Sequence, residues 1–180
     1  LSILAFGTIF AFELSLKYIQ KAKNFLPNNS QVDNLKGYVQ LSLGRLEDAR
    51  VSFLEVLQKY PNDVDARFGL AQLELYDGKI SGAENWCLDA LQRQNSNRKA
   101  LLSLSLVSYQ LEKYEQSKSY IEKAMELHSG NAEVFYFAAY LDMLDKNYEN
   151  AEGKCRSAIL LNENYSNAYE LLAIILFEQG

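Results

Sequence analysis

The chain repeats itself every 34 residues, and this period constrains every other reading of it. Pro27 and Pro61 lie one period apart, as do Gly44 and Gly78. Small residues recur at the same step: Ser15, Ala49, Ala83, Ser117 and Ala151 form one series, and Gly37, Ala71, Ser105, Ala139 and Ala173 a second. Ala22, Ala90, Ala124 and Ala158 form a third, with Val56 in its second slot. A fourth series, Phe12, Leu46, Ile80, Tyr114 and Tyr148, is large and apolar. The period divides the chain into four units, 30–63, 64–97, 98–131 and 132–165, with partial units 1–29 and 166–180 at its ends.

Inside a unit the apolar residues fall at helical spacing in two blocks, such as Leu101, Leu104, Val107 and Leu111 followed by Tyr114, Ile121, Ala124 and Leu127. Each unit therefore reads as a helical hairpin. Breakers separate the blocks: Gly44-Arg45, Asp77-Gly78 and Lys146-Asn147 within units, and Tyr60-Pro61-Asn62-Asp63, Asn95-Ser96-Asn97 and Ser129-Gly130-Asn131 between them. With 48% apolar residues, nine glycines and two prolines, the composition supports a folded, all-α chain. Small residues belong where two helices cross closely, and large ones fill the gaps beside the crossing. One hairpin buries too little to offset its ordering entropy of roughly 1–2 kcal/mol per residue, so stability must come from stacking.

Leu70-Ala71, Gly78, Ala83 and Ala90 in one unit, and Leu104-Ser105, Tyr114 and Ala124 in the next, resemble the tetratricopeptide repeat, a 34-residue helix-turn-helix unit. The resemblance covers almost the whole chain. It implies a right-handed superhelical array, an α-solenoid, with first helices lining a concave face and second helices outside. Two departures stand out. Lys36 occupies a slot that is usually apolar, and the terminal proline becomes Asn95, Ser129 and Glu163.

Both ends differ from the middle. Residues 1–12, LSILAFGTIFAF, carry no charge and no polar face, and the expected turn at Phe10-Ala11 has no breaker. Two readings stand: a buried first helix of an incomplete repeat, or the remnant of a signal or membrane anchor. Twelve residues are too few to cross a bilayer. The second reading leans towards export or an envelope-anchored location, the first leaves a cytoplasmic one. Residues 166–180 supply a first helix without a second; Ala168, Leu172, Ala173 and Ile175 are expected to pack backwards, leaving Ile174, Leu176 and Phe177 outward, so a continuing chain is expected.

Catalytic and ligand chemistry finds little support. A net charge of -5 argues against a dedicated nucleic-acid binder. His128 is the single histidine and falls at a helix end with no nucleophile or acid at triad spacing. Cys87 and Cys155 share one slot two units apart, where Phe53 and Ile121 stand in the others, which marks them as small core fillers too distant for a disulfide. No glycine-rich phosphate loop occurs. Asn28-Asn29-Ser30 and Asn164-Tyr165-Ser166 match the glycosylation triplet, but turns rich in Asn and Ser generate it by accident. No metal, cofactor or catalytic residue is expected.

The resemblance places the functional surface on the first helices. Carried over by register, its concave positions are Asn34, Tyr38 and Leu41; Phe68, Gln72, Leu75 and Tyr76; Leu102, Leu106 and Tyr109; and Tyr136, Tyr140 and Met143. The candidate partner-binding set is Tyr38, Phe68, Tyr76, Leu102, Leu106, Tyr109, Tyr136 and Tyr140. The Lys and Asn residues with which some family members grip a terminal carboxylate are missing, since Phe68, Gln72, Leu102 and Ser103 hold those slots. Acidic residues, among them Asp33, Asp65, Glu74, Glu133 and Asp142, outnumber basic ones on the first helices. The expectation is a non-enzymatic scaffold or adaptor that binds an apolar, somewhat basic protein or peptide segment, with no nucleic acid and with a membrane met only through an N-terminal anchor. The alternative is the repeat module of a larger enzyme or of an envelope polysaccharide-secretion machine. Neither reading assigns an oligomeric state.

Overall fold

The computed structural model describes the backbone of residues 3–180 and the side chains from Phe12 onward. Among the described residues all regular structure is helical: α1 (Ile3–Phe25), α2 (Ser30–Ser42), α3 (Leu46–Lys59), α4 (Val64–Tyr76), α5 (Ile80–Arg93), α6 (Arg98–Gln110), α7 (Tyr114–Leu127), α8 (Ala132–Leu144), α9 (Tyr148–Leu161) and α10 (Ser166–Gln179). They form two compact units, 1–95 and 96–180. The backbone of α1 runs through Phe10-Ala11 without a turn. The two readings of residues 1–12 rest on side chains that lie, except for Phe12, outside the described ones.

Two small devices, each recurring at the 34-residue step, cut the chain into hairpins. Asn29, Asp63, Asn97 and Asn131 cap α2, α4, α6 and α8 by accepting the backbone N–H of Val32, Ala66, Ala100 and Val134. Between the helices of a hairpin the chain enters the left-handed region at Gly44 (φ 72), Gly78 (φ 70), Glu112 (φ 59) and Lys146 (φ 60). The next N–H then returns to a carbonyl five residues back: Arg45 to Gln40, Lys79 to Glu74, Lys113 to Ser108 and Asn147 to Asp142, at 2.8–2.9 Å. Glu112 and Lys146 adopt the geometry without glycine, so the turn is imposed by packing as much as by composition. The turn at Glu112 contains no breaker, and sequence reasoning did not mark it.

Small residues sit at the crossings. Ala49, Ala83 and Ala151 are fully buried, as are Ala90, Ala124 and Ala158. At the α6–α7 crossing the Ser117 hydroxyl donates to the Ser105 carbonyl at 2.7 Å, a contact only a short side chain permits. Ala173 continues one of these series but is exposed, because no described helix covers that face of α10. The backward packing of α10 is carried by Ala168 and Ile175, both buried, and by half-buried Leu172, as expected, with Leu171 buried beside them in place of Ala173.

In the first unit Phe53 is the centre of a core built with Leu41, Val56, Leu70 and Leu73. Its ring fills the space above two glycines: a methyl group on Gly37 would lie 2.6 Å from it, and one on Gly69 2.2 Å. The α2–α3 interface beside it is polar. Asp33 accepts from Lys59 at 3.3 Å and pairs with Lys23 of α1 at 2.8 Å, Lys36 faces Glu55 at 3.8 Å, and Gln40 and Ser52 are hydrogen-bonded at 2.7 Å. Lys36, the departure noted in the sequence, is thus one rung of a polar ladder. In the next hairpin buried Arg67 binds Asp89 and the carbonyls of Asp63 and Pro61, tying α5 to the preceding turn.

Gly69→Ala should destabilise the first unit by about 1–3 kcal/mol in urea unfolding despite the gain in helix propensity, because the Phe53 ring cannot retreat. Adding Phe53→Leu should recover part of that loss. Gly153→Ala, on an open face of α9, should stabilise by about 0.5–1 kcal/mol. Burial opposes ionisation of Asp33, but Lys23 and Lys59 outweigh it and hold the carboxyl below its usual range. A depressed carboxylate contributes stability above its unfolded pKa and loses it as pH falls through the folded one. The urea midpoint should therefore drop on acidification below about pH 4, and less steeply in Asp33→Asn.

Candidate functional site

Within the first unit α2 and α4 lie side by side. The Asn34 amide donates to Asp63 Oδ1 at 2.9 Å, and the Tyr38 hydroxyl donates to the Asp65 carbonyl at 2.7 Å. Tyr38 also rests edge-on against Phe53, with ring centroids 5.0 Å apart. Burial, with Asp65 and Asp63 nearby, raises its phenol pKa well above the ordinary value. Tyr38 is therefore partly a joint between helices. One side of its ring still borders a cavity of about 500 Å³, completed by Leu41, Ser42, Gln72, Leu75 and Tyr76. No formally charged side chain lines it.

The candidate residues separate by accessibility. Tyr76 is 68% exposed and Leu75 is 40% exposed, whereas Phe68 and Leu102, expected on the open surface, are 6% and 3% exposed. Those two seal the core. Leu106, Tyr109, Tyr136 and Tyr140 are half-buried. In the second unit the Tyr109 hydroxyl donates to Asp145 at 2.9 Å and its ring meets Tyr114 edge-on. Partial burial first, and then the Asp145 carboxylate, push its pKa up to about 12. Tyr136 stacks edge-on with Tyr165, and Tyr136, Tyr140 and Met143 pack against Ala139, Cys155 and Ile175.

Sequence reasoning missed Ser42, whose hydroxyl donates to the Val39 carbonyl at the rim of the cavity. It also treated Ile174 and Phe177 only as an uncovered patch. One period after Tyr140 and Met143, they continue the same stripe along α10 and are 50% and 83% exposed. Adding 34 to the register would have found them.

The acidic excess on the first helices is largely compensated inside the fold. Glu74 binds Arg50 at 2.7 Å, Glu133 binds Arg98 at 3.0 Å, Asp142 binds Lys154 at 2.6 Å, and Asp33 is held between two lysines. Among the described residues no group of three His, Cys, Asp or Glu side chains converges as a metal site would require. Cys155 is buried and its thiol is pushed up to about 11 by desolvation, which is core chemistry rather than nucleophile chemistry.

The sequence profile of the tetratricopeptide repeat family matches residues 22–98. The fold of the whole chain superposes on that of TTC0263, a thermophilic TPR protein of Thermus thermophilus, with a TM-score of 0.79 at 15% identity, covering 97% of this chain and 95% of that one. The profile match marks tetratricopeptide repeats over residues 22–98, and the superposition gives the chain the fold of such repeat proteins. A second similar structure is YrrB, a tetratricopeptide repeat protein with an unusual peptide-binding site, at TM-score 0.60 and 16% identity over 91% of this chain and 84% of that one. The curated relative it matches, pre-mRNA-splicing factor 6 of Saccharomyces cerevisiae, is 27% identical over 139 residues. That match takes in 71% of this chain and spans 15% of the splicing factor's length.

Mild nitration of the folded chain should label Tyr76 early and spare Tyr38, read out by peptide mapping; equal labelling would contradict the joint at Asp65. A spectrophotometric titration should place the Tyr109 phenol about two units above an exposed tyrosine, and Asp145→Asn should bring it down.

Proposed function

We propose that this repeat array is a non-catalytic adaptor whose first unit seats an uncharged apolar side chain of a partner protein segment between α2 and α4. The observation that carries this reading is the cavity of about 500 Å³ bordered by Tyr38, Leu41, Leu75 and Tyr76, with Ser42 and Gln72 at its polar edge. An apolar hollow with a few polar groups at its margin suits an aliphatic or aromatic anchor whose backbone stays hydrogen-bonded. Tyr76 adds a large, rigid face at low entropic cost.

The apolar half of the sequence-based expectation draws support from this site; the basic half draws little, because Glu74, Glu133 and Asp142 are already paired within the fold. A terminal carboxylate finds no cationic side chain in the lining. The peptide-binding site named for YrrB belongs to that protein and lends the reading precedent by analogy. The alternative, a repeat module serving a much larger assembly, is favoured by one fact: the curated relative is a far longer chain of which this one matches 15%.

Panning a random peptide library against the chain should enrich sequences with one aliphatic or aromatic anchor. Leu75→Ala with Tyr76→Ala, both exposed positions, should weaken a recovered peptide at least about tenfold while leaving helical circular dichroism unchanged. Undiminished binding by the double variant would reject the cavity as the seat.

A further inference from the structure

A second cavity, of about 220 Å³, opens among α1, α2 and α3. It lies where the unit 30–63 departs from the register of the other three. In the slot of Ser52 those units carry Trp86, Tyr120 and Lys154, all larger. In the slot of Lys36 they carry Leu70, Leu104 and Ala138, and in that of Asp33 they carry Arg67, Leu101 and Phe135. Ser52 leaves the space open, and Lys36 and Asp33 put charge on its wall. Val56, 3% exposed, lines its apolar part. Three departures that give up apolar packing around one hollow are what a binding site requires and a core does not.

The charges on the wall are unequally held. Lys23 from α1, Lys36 from α2 and Lys59 from α3 line the hollow, against two carboxylates, Asp33 and Glu55. Asp33 is engaged through both oxygens, with Lys23 at 2.8 Å and Lys59 at 3.3 Å, and its side chain is 10% exposed. The Pro27 carbonyl also accepts from Lys59, at 3.0 Å. Asp33 therefore positions two of the amines and presents little negative surface of its own. Glu55 differs. Its side chain is 63% exposed and stays 3.8 Å from the Lys36 amine, too far for a hydrogen bond, so a better acceptor can take its place.

A buried hydroxyl completes the set of donors. The end of the Gln40 amide that faces α3 meets the carbonyl oxygens of Lys36 at 3.2 Å and Asp48 at 3.1 Å, as well as Ser52 Oγ at 2.7 Å. Carbonyl oxygens only accept, so the amide nitrogen stands there and donates to Ser52. In that orientation the Ser52 hydroxyl, 3% exposed and on the wall of the cavity, keeps a proton with no acceptor among the described residues. A buried donor of this kind calls for an acceptor in the hollow.

We propose that this cavity binds a phosphoryl group, as inorganic phosphate or a small phosphomonoester, through Lys36, Lys59, Lys23 and the Ser52 hydroxyl. Three amines and a hydroxyl arriving from three helices suit a compact anion with three or more acceptor oxygens and a charge approaching two. A carboxylate offers two oxygens and a single charge, and would leave part of the donor set unused. The cavity shares no residue with the one between α2 and α4, so the proposal goes beyond the adaptor reading and stands or falls independently of it.

The test is isothermal titration calorimetry of the 180-residue chain, at low ionic strength in chloride, with inorganic phosphate and separately with glycerol 3-phosphate. Expected is saturable binding of at least one of them, the tighter of the two naming the source of the phosphoryl group. Lys36→Leu, which restores the residue type of Leu70 and Leu104, should weaken binding at least about tenfold while the urea midpoint without ligand holds or rises. Ser52→Ala should weaken it several-fold with circular dichroism unchanged, and Glu55→Gln should tighten it, an outcome that a purely structural rung would not produce. Library-peptide binding should be the same in all three variants. The absence of saturable heat with both ligands would overturn the proposal, and so would affinities that Lys36→Leu and Ser52→Ala leave at the wild-type level.

Discussion

Two helices can approach within a hairpin only as closely as the side chains between them allow, and in this chain the limit is set by a methyl group or less. Ala49, Ala83 and Ala151 lie fully buried at the crossings, and Ser117 places its hydroxyl directly on the facing backbone. Larger residues there would separate the helices and open the core to water. The separation fixed at the crossing determines where Phe53, Leu101 and Leu104 can fit, and so where the first helices leave their remaining faces. The functional surface is a remainder of this packing.

That remainder explains why the candidate site was only partly legible in the sequence. The period, the helical class and the small-residue crossings follow from spacing, because each is a statement about local geometry repeated many times. The exposure of a single side chain is not. Tyr38 and Tyr76 read alike among the concave positions, yet one donates to a neighbouring carbonyl and the other is open to solvent. Phe68 and Leu102 share a slot with Asn34, and all three are buried, so that slot belongs to the packed interior and not to the open surface.

Charge shows the same limit. A surplus of acidic residues on the first helices is visible in the composition, but the cations that offset it, Arg50 and Lys154, stand on second helices twelve or more residues away in sequence. Only the fold brings them together. The turn at Glu112 was hidden for a related reason: its left-handed residue is selected by the packing of α6 on α7 and not by any intrinsic preference of glutamate for that conformation.

The polar ladder inside the first hairpin has a further consequence. Hydrophobic contacts between two helices survive a slide of one turn with modest loss, since one aliphatic group can replace another. The rungs Asp33–Lys59, Lys36–Glu55 and Gln40–Ser52 cannot, because a shift would strand charges and amides opposite the wrong partners. The ladder acts as a key: it gives up some cohesive strength in this hairpin and in exchange admits a single alignment, from which the next hairpin inherits its place.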